Sequence, residues 1–223
     1  MNFAEYNVQD ANLEEVLLAL KSLDTVEAVA LGGSRSTGAS EENSDYDIYV
    51  YCSEIPTGKT RENLLGKYCS IAEFGNHYWE SEDNTVMNNG IPVDIIYREV
   101  DRFGRYIDTV IKGGKAFNGY TTAFWHNIKN SKVLFDKTGT FTKFRDMAQI
   151  DFPENLRSAI IKNNRNLLNG KLPSYDRQVK KAQERGDIVS VNHRITAFLE
   201  SYFDVIFALN RQTHPGRKKQ VQL

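Results

Sequence analysis

An apolar run that ends in a glycine-serine turn constrains the fold of this chain more than any other segment. The run at 26–31 is typical of a buried strand, and Gly32 and Gly33 stop it. A second run, at 45–52, alternates polar residues with β-branched and aromatic ones, as expected of a neighbouring strand. The two runs together predict a sheet in which a turn rich in glycine and serine leads from one strand towards the next.

Two aspartates at the start of the second run, Asp45 and Asp47, are two residues apart, which on a strand places both side chains on one face. An apolar run at 93–97 predicts a further strand, and Asp94 lies within it. Three carboxylates at roughly 4 Å repel one another by about 4 kcal/mol per pair at an effective dielectric near 20, so a compensating cation is expected. We therefore predict that Asp45, Asp47 and Asp94 are catalytic and hold Mg²⁺, in a two-ion site.

The turn before the acid pair is suited to hold a phosphate. Gly33 allows close backbone approach, Ser34 offers a hydroxyl and an N–H, and Arg35 can pair with a phosphate oxygen. The turn lacks the Gly-Lys-Ser/Thr ending of a Walker A loop and the spacing of a GxGxxG motif. A lone Asp-x-Asp pair is more often an ordinary strand segment. Its combination with this turn and with Asp94 instead predicts nucleotide binding by Gly33, Ser34 and Arg35.

The remaining pattern divides the chain into a mixed first part and a helical second part. From Phe141 onward the apolar residues recur at helical spacing, most clearly in the stripe at 195–207. We predict an α+β fold with a catalytic domain built on a mixed sheet at 1–140, followed by a small all-helical, substrate-binding domain at 141–223. The predicted elements are helices at 13–20 (with Asn12 as N-cap), 61–71 and 102–111, strands at 26–31, 45–52, 93–97 and 133–136, and a turn at Asn88-Asn89-Gly90.

Composition narrows the class of protein. The 223 residues can bury a full core, and 40% hydrophobic with 26% charged residues is typical of a soluble globular protein. The formal net charge of −1 disfavours a general nucleic-acid binder, so no nucleic-acid partner is expected. The four histidines lack zinc-ligand spacing, and the first residues lack the pattern of a secretory signal. Because no apolar run is long enough to span a bilayer, we expect a cytoplasmic protein with no membrane partner.

The order of these motifs resembles the signature of the DNA polymerase β-like nucleotidyltransferase superfamily: Gly32-Gly33-Ser34-Arg35, then Ser44-Asp45-Tyr46-Asp47, then Asp94 on a later strand. With the segments at 119–122, 133–136 and 207–211, most of the chain is similar more particularly to bacterial antibiotic (aminoglycoside and lincosamide) nucleotidyltransferases. The resemblance implies a catalytic α/β domain with a helical domain that closes over the acceptor. It also implies that Ser34 contacts the triphosphate, that Asp45 and Asp47 bind metal, and that Asp94 binds metal and helps to deprotonate the acceptor.

The resemblance further implies that a nucleoside monophosphate passes from an NTP, with ATP expected, to a hydroxyl of a small molecule such as an aminoglycoside or a lincosamide. The aromatic and acidic segment at 78–83 predicts acceptor binding by Trp79, Glu80 and Asp83, although its composition equally fits a solvated charged loop. Two alternatives stay open: nucleotidylation (AMPylation) of a partner protein in a toxin–antitoxin-like system, and a catalytically silent nucleotide-binding module. An exposed part of the stripe at 195–207 would suit a homodimer.

Overall fold

The structure, a computed structural model, describes residues 10–36, 44–170, 172–217 and 220. The chain divides into two compact units. The first comprises the described residues up to Gly104 together with Lys129–Met147, and the second comprises Arg105–Ile128 together with the described residues from Ala148 onward. The predicted domain limits, 1–140 and 141–223, stay a prediction, because compactness alone does not show which segments fold independently.

In the part of the chain that the structure describes, six strands form one mixed sheet, which belongs to the first unit. The strands are β1 (Val26–Leu31), β2 (Tyr46–Cys52), β3 (Cys69–Asn76), β4 (Ser81–Met87), β5 (Pro92–Glu99) and β6 (Lys132–Asp136). Their order across the sheet is β3-β4-β5-β2-β1-β6. β2 and β5 pair in parallel, whereas the other neighbouring strands pair antiparallel. The parallel pair in the middle of the sheet therefore brings together segments that are distant along the chain.

The helices complete the two units and confirm the predicted α+β class. They are α1 (Ala11–Lys21), α2 (Gly33–Ser36), α3 (Gly58–Leu65), α4 (Val100–Ile111), α5 (Ala123–Asn130), α6 (Thr140–Ala148), α7 (Glu154–Arg165), α8 (Tyr175–Glu184) and α9 (Ile188–Leu209). A 3-10 turn at Gly66–Tyr68 follows α3, and a π turn at Asn166–Gly170 follows α7. Within the described residues, none of these helices is both long enough and apolar enough to cross a bilayer.

The two faces of the sheet differ in character because side chains alternate along each strand. One face, called the core face here, carries Ile48, Val50 and Ile95, which are at most 1% exposed. The other, called the acid face, carries Asp47 on β2 and Asp94 on β5. The predicted helix near the start of the chain supplies the core face with apolar cover through four buried side chains at helical spacing, Leu13, Val16, Leu17 and Leu20. Burying each of these side chains contributes roughly 1.5–3 kcal/mol.

Three local predictions are corrected by the structure. The N-cap of α1 is Asp10 rather than Asn12, because the Asp10 carboxylate accepts hydrogen bonds from the N–H groups of Asn12 and Leu13. The helix predicted at 61–71 ends early, since its last residues, from Cys69 onward, belong to β3. Strands β3 and β4 were not predicted, because the helix predicted at 61–71 covered the start of β3 and the polar residues of β4 weaken its strand pattern.

The second unit encloses a buried polar cluster around Asp204 of α9. The Asp204 carboxylate accepts hydrogen bonds from the N–H and hydroxyl of Thr121 and from the amide of Asn164 on α7. Burial raises the pKa of Asp204 to about 6, against the opposing effect of these donors. His214 lies near the same helix, with its ring 5.0 Å from that of Phe207, and burial lowers its pKa to about 4. These buried polar groups add specific contacts to a helical unit otherwise held by apolar packing.

The apolar stripe of α9 is only partly core. Phe207 and Ala208 are buried, whereas Ile195, Leu199 and Tyr202 are each more than 40% exposed. The stripe is thus divided between buried and exposed residues. The difference arises because α9 presents apolar residues around more of its circumference than its buried face uses.

Candidate active site

Three carboxylates converge on the acid face at the start of β2. β2 and β5 pair in a register that sets Asp47 directly beside Asp94, and Asp45 lies two residues before Asp47. One oxygen from each of the three carboxylates lies within 4.8 Å of the others, and all three residues are half-buried. Two like unit charges at this separation repel by about 3 kcal/mol at an effective dielectric near 20. Carboxylate oxygens are the ligands that hard divalent cations prefer, so this donor set fits such an ion.

The glycine turn lies against the same acids. The N–H of Gly32 donates to the backbone oxygen of Asp47 at 2.8 Å, which fixes the end of β1 to the start of β2. Gly33 has φ +62°, and a Cβ added there would collide with Oδ2 of Asp47. Glycine is therefore required at this position for two reasons: the left-handed backbone and the close approach to a carboxylate of the cluster.

The structure places the other predicted phosphate contacts beside this turn. Ser34 is half-buried in the single helical turn α2. The guanidinium of Arg35 donates through Nε and Nη2 to the backbone oxygen of Ser44, at 2.8 and 2.6 Å, and lies 4.0 Å from the ring centroid of Tyr46. Arg35 therefore holds the two residues that flank Asp45. The segment between α2 and Ser44, at 37–43, lies outside the described residues.

The three predicted acceptor-binding residues have different surroundings. Trp79 is 76% exposed in the loop between β3 and β4. Glu80 forms a two-point ion pair with buried Arg98, at 2.8 Å (Oε1 to Nε) and 2.9 Å (Oε2 to Nη2). Both oxygens of Glu80 accept hydrogen bonds from Arg98, so this carboxylate neutralises a buried guanidinium on the acid face.

Asp83 is separated from the three acids by the sheet itself. It pairs in register with Ile95, which places its side chain on the core face. There its carboxylate lies 3.0 Å from the guanidinium of Arg61, and neither side chain is more than 2% exposed. Burial raises the pKa of Asp83, while the Gly75 N–H and Arg61 oppose that rise. The Asp83 carboxylate therefore faces away from the three acids and is held by Arg61 in the core.

Two polar residues of β4, Glu82 and Asn84, lie on the acid face but were not singled out from the sequence. Asn84 pairs in register with Asp94, and its amide Nδ2 donates to Oδ1 of Asp94 at 3.0 Å. Burial and the negative charges of Asp94 and Glu80 raise the pKa of Glu82. The turn signal at Asn88-Asn89-Gly90 could have revealed both residues, because a hairpin turn implies a strand on each side.

With this geometry in place, comparison with known proteins decides the family. Residues 13–117 match the family model described as a nucleotidyltransferase domain. The chain contains a nucleotidyltransferase domain. The match spans the glycine turn and all three clustered aspartates, and it confirms the predicted membership of the polymerase β-like superfamily and the prediction of a nucleotidyltransferase. Residues 122–219 match a second family model, described as a domain of unknown function (DUF4037).

Other comparisons add little to this assignment. A comparison with curated proteins found no match. A solved nucleotidyltransferase-like protein from Exiguobacterium sibiricum is 9% identical, with a TM-score of 0.42, over 91% of this chain and 57% of that protein. Spectinomycin adenyltransferase from Enterococcus faecialis, solved with ATP and spectinomycin, is 14% identical, with a TM-score of 0.39, over 90% of this chain and 97% of that one. A CD-NTase from Bradyrhizobium diazoefficiens, solved with GTP, is 11% identical, with a TM-score of 0.32, over 96% and 91% of the two chains. Similarities this low carry no argument about substrates.

Proposed function

We propose that this nucleotidyltransferase moves a nucleoside monophosphate from an NTP to a hydroxyl group of a small molecule, with a divalent cation held by Asp45, Asp47 and Asp94. The observation that carries the proposal is the convergence of these three carboxylates beside the glycine turn. Mg²⁺ is the expected ion because it prefers oxygen ligands and commonly binds both carboxylates and substrate phosphates. When bound, such an ion stabilises negative charge on the attacking and leaving oxygens of an in-line displacement.

The proposed reaction is a substitution at the α-phosphorus of the triphosphate. A bond forms between the acceptor oxygen and the α-phosphorus, the bond from the α-phosphorus to the bridging oxygen breaks, and pyrophosphate leaves. The acceptor hydroxyl gives its proton to a base, for which we propose Asp94. Ser34, in the turn beside Asp47, is the proposed contact to the triphosphate, with Gly33 allowing the backbone to approach and Arg35 adding a positive charge.

For the acceptor, we propose a cationic hydroxylated compound of the aminoglycoside or lincosamide type. The supporting feature is the loop between β3 and β4, where Tyr78 and Trp79 are 70% and 76% exposed. β4, which follows this loop, carries Glu82 and Asn84 on the same face as Asp94. Exposed aromatic rings beside carboxylates suit a ligand that carries both apolar surface and positive charge.

The test is pyrophosphate release measured with Mg²⁺, each of the four nucleoside triphosphates and a panel of aminoglycosides and lincosamides. The variant expected to lose activity is Asp47→Asn, which removes one proposed metal ligand. Its matched control is Asp151→Asn, which makes the same chemical change at an exposed position of the second unit.

We expect release that depends on one class of acceptor in the wild type and in Asp151→Asn, and no release in Asp47→Asn. Full turnover in Asp47→Asn would overturn the assignment of the metal site. Triphosphate binding that requires Mg²⁺, without release for any acceptor in the panel, would keep the site but reject this class of acceptor.

A further inference from the structure

The amide of Asn84 is the direct neighbour of one carboxylate of the acid cluster. Asn84 on β4 and Asp94 on β5 are register partners of an antiparallel pair, so their side chains extend from the same face of the sheet. Nδ2 of Asn84 lies 3.0 Å from Oδ1 of Asp94, a normal hydrogen-bond distance. An ionised carboxylate accepts hydrogen bonds and cannot donate them. The amide nitrogen of Asn84, which is a donor, must therefore face Asp94.

A second amide fixes the direction of the first. Nδ2 of Asn76 on β3 donates to Oδ1 of Asn84 at 2.8 Å and to Oε2 of Glu73 at 3.3 Å. The carbonyl oxygen of Asn84 is thus engaged by Asn76, which leaves its amide nitrogen for Asp94. Four side chains from three neighbouring strands, those of Glu73, Asn76, Asn84 and Asp94, form one continuous line of hydrogen bonds. Each donor in this line faces an acceptor, so the arrangement is consistent in only one direction.

This line controls a torsion that the backbone leaves soft. The position of Cγ in Asp94 is set by its strand and its χ1 rotamer, but the plane of an aspartate carboxylate rotates about a broad sp³–sp² torsion. A hydrogen bond to one oxygen therefore fixes where both oxygens lie. The amide is neutral, so it orients the carboxylate without cancelling its charge, in contrast to the arginines that bind Glu80 and Asp83.

We propose that Asn84 is a positioning residue that orients the Asp94 carboxylate for binding a divalent cation. The inference rests on the proposed function, because it concerns the metal site assigned there to Asp45, Asp47 and Asp94. Partners that hydrogen-bond to metal ligands typically change metal affinity by about 10- to 100-fold. Asn76 contacts Asn84 and not Asp94, so it has a smaller effect on metal affinity.

The test measures binding of Mn²⁺ alone, by electron paramagnetic resonance of the free ion, so that neither nucleotide nor acceptor is needed. Asn84→Ala is expected to weaken Mn²⁺ binding by about 10- to 100-fold, and Asn76→Ala by less. In an Asp94→Ala background, adding Asn84→Ala should cause no further weakening, because Asn84 acts only through Asp94.

The matched control is Thr85→Val on the same strand. Thr85 points to the core face, and its hydroxyl donates to the backbone oxygen of Val93 at 2.9 Å. Thr85→Val therefore removes one side-chain hydrogen bond between β4 and β5, as Asn84→Ala does, without touching the carboxylate. Its Mn²⁺ affinity should equal that of the wild type, and thermal unfolding of both variants reports any loss of stability separately.

The outcomes separate this inference from the proposed function. Wild-type affinity in Asn84→Ala, or equal weakening in Thr85→Val, would overturn the role of Asn84 while the metal site stands. Further weakening by Asn84→Ala in the Asp94→Ala background would also overturn it, since Asn84 would then act on another ligand. If Asp94→Ala alone binds Mn²⁺ as the wild type does, the proposed metal site fails and this inference fails with it.

Discussion

The two faces of the sheet treat aspartate in opposite ways. On the core face, Asp83 is fully buried and lies 3.0 Å from Arg61, so the fold itself neutralises the charge that it buries. On the acid face, Asp45, Asp47 and Asp94 stay half-buried and bring three negative charges within 4.8 Å. The same side chain therefore supports the fold on one face and, as proposed here, chemistry on the other. The two roles differ in the charges that surround each carboxylate. Asp83 is paired with a cation, Arg61, whereas each acid of the cluster lies beside two other acids.

The largest effect is expected from Asp47→Asn on the acid face, which should lower the rate of turnover. Loss of one metal ligand should remove several kcal/mol of transition-state stabilisation, or about three orders of magnitude in rate. The same change relieves repulsion within the cluster, so the free energy of unfolding should stay unchanged or rise. Pyrophosphate release and urea unfolding check the two effects. A clear loss of stability in this variant would contradict the view that the acid face is built for chemistry.

The second effect is on stability, from Asp83→Asn on the core face. Breaking a buried ion pair at one partner typically costs about 3–5 kcal/mol, because the other charge stays buried without compensation. Urea unfolding should show this loss, and turnover of the remaining folded protein should be nearly unchanged. Replacing both partners, as Arg61→Met with Asp83→Leu, should recover most of the stability. If the double variant is as unstable as Asp83→Asn, apolar groups cannot substitute for the pair.

Asp204 is a third buried acid and sharpens the contrast, because its hydrogen-bond donors among the described residues, Thr121 and Asn164, are neutral. Its pKa is raised to about 6, so between pH about 4 and about 6 the folded state holds the extra proton and stability falls as pH rises. The pKa of His214 is lowered to about 4, so the unfolded state holds the extra proton between pH about 4 and about 6.5, and stability rises with pH. Each trend amounts to about 3 kcal/mol, and the two nearly cancel in the wild type.

Variants of these two residues should expose the opposing trends. Relative to the wild type, Asp204→Asn leaves the His214 trend, so its unfolding free energy should rise by about 3 kcal/mol from pH about 4 to about 6. His214→Asn leaves the Asp204 trend and should lose a similar amount over the same range. Urea unfolding across this pH range measures both, and the difference from the wild type removes contributions shared by all three proteins. Parallel profiles for all three would contradict the prediction.

The smallest effect concerns Arg35, the cation beside the acid cluster. Arg35→Gln and Arg35→Lys both lose the stacked, forked contact to Ser44 and Tyr46, which should cost about 1 kcal/mol of stability. If Arg35 also binds phosphate, only Arg35→Gln should raise the KM for the triphosphate, because lysine keeps the charge. Thermal unfolding and triphosphate titrations separate the two roles. An unchanged KM in Arg35→Gln would restrict Arg35 to holding the segment that carries Asp45.

Local patterns predicted four of the strands well, since β1, β2, β5 and β6 lie where apolar or alternating runs indicate them. The same approach missed β3 and also β4, and the β4 segment, Ser81–Met87, holds more polar than apolar residues. The missed strand β4 also bears on the predicted acceptor residues. In a loop, the side chains of Glu80 and Asp83 could point in any direction. In the structure Glu80 directly precedes β4 and pairs with Arg98, and Asp83 lies within β4 and pairs with Arg61.

The sequence by itself determined the features that depend on near neighbours. The glycines end β1, and the two-residue spacing places Asp45 and Asp47 on one face, because the alternation of a strand is a local property of the backbone. Asp94 was predicted as the third carboxylate, but only the tertiary structure decided that it contacts the other two. Asp94 meets Asp47 because β5 pairs in parallel with β2 in one particular register, and a slip of one residue would turn Asp94 to the core face. Strand pairing depends on contacts between distant segments, so no local pattern could specify it.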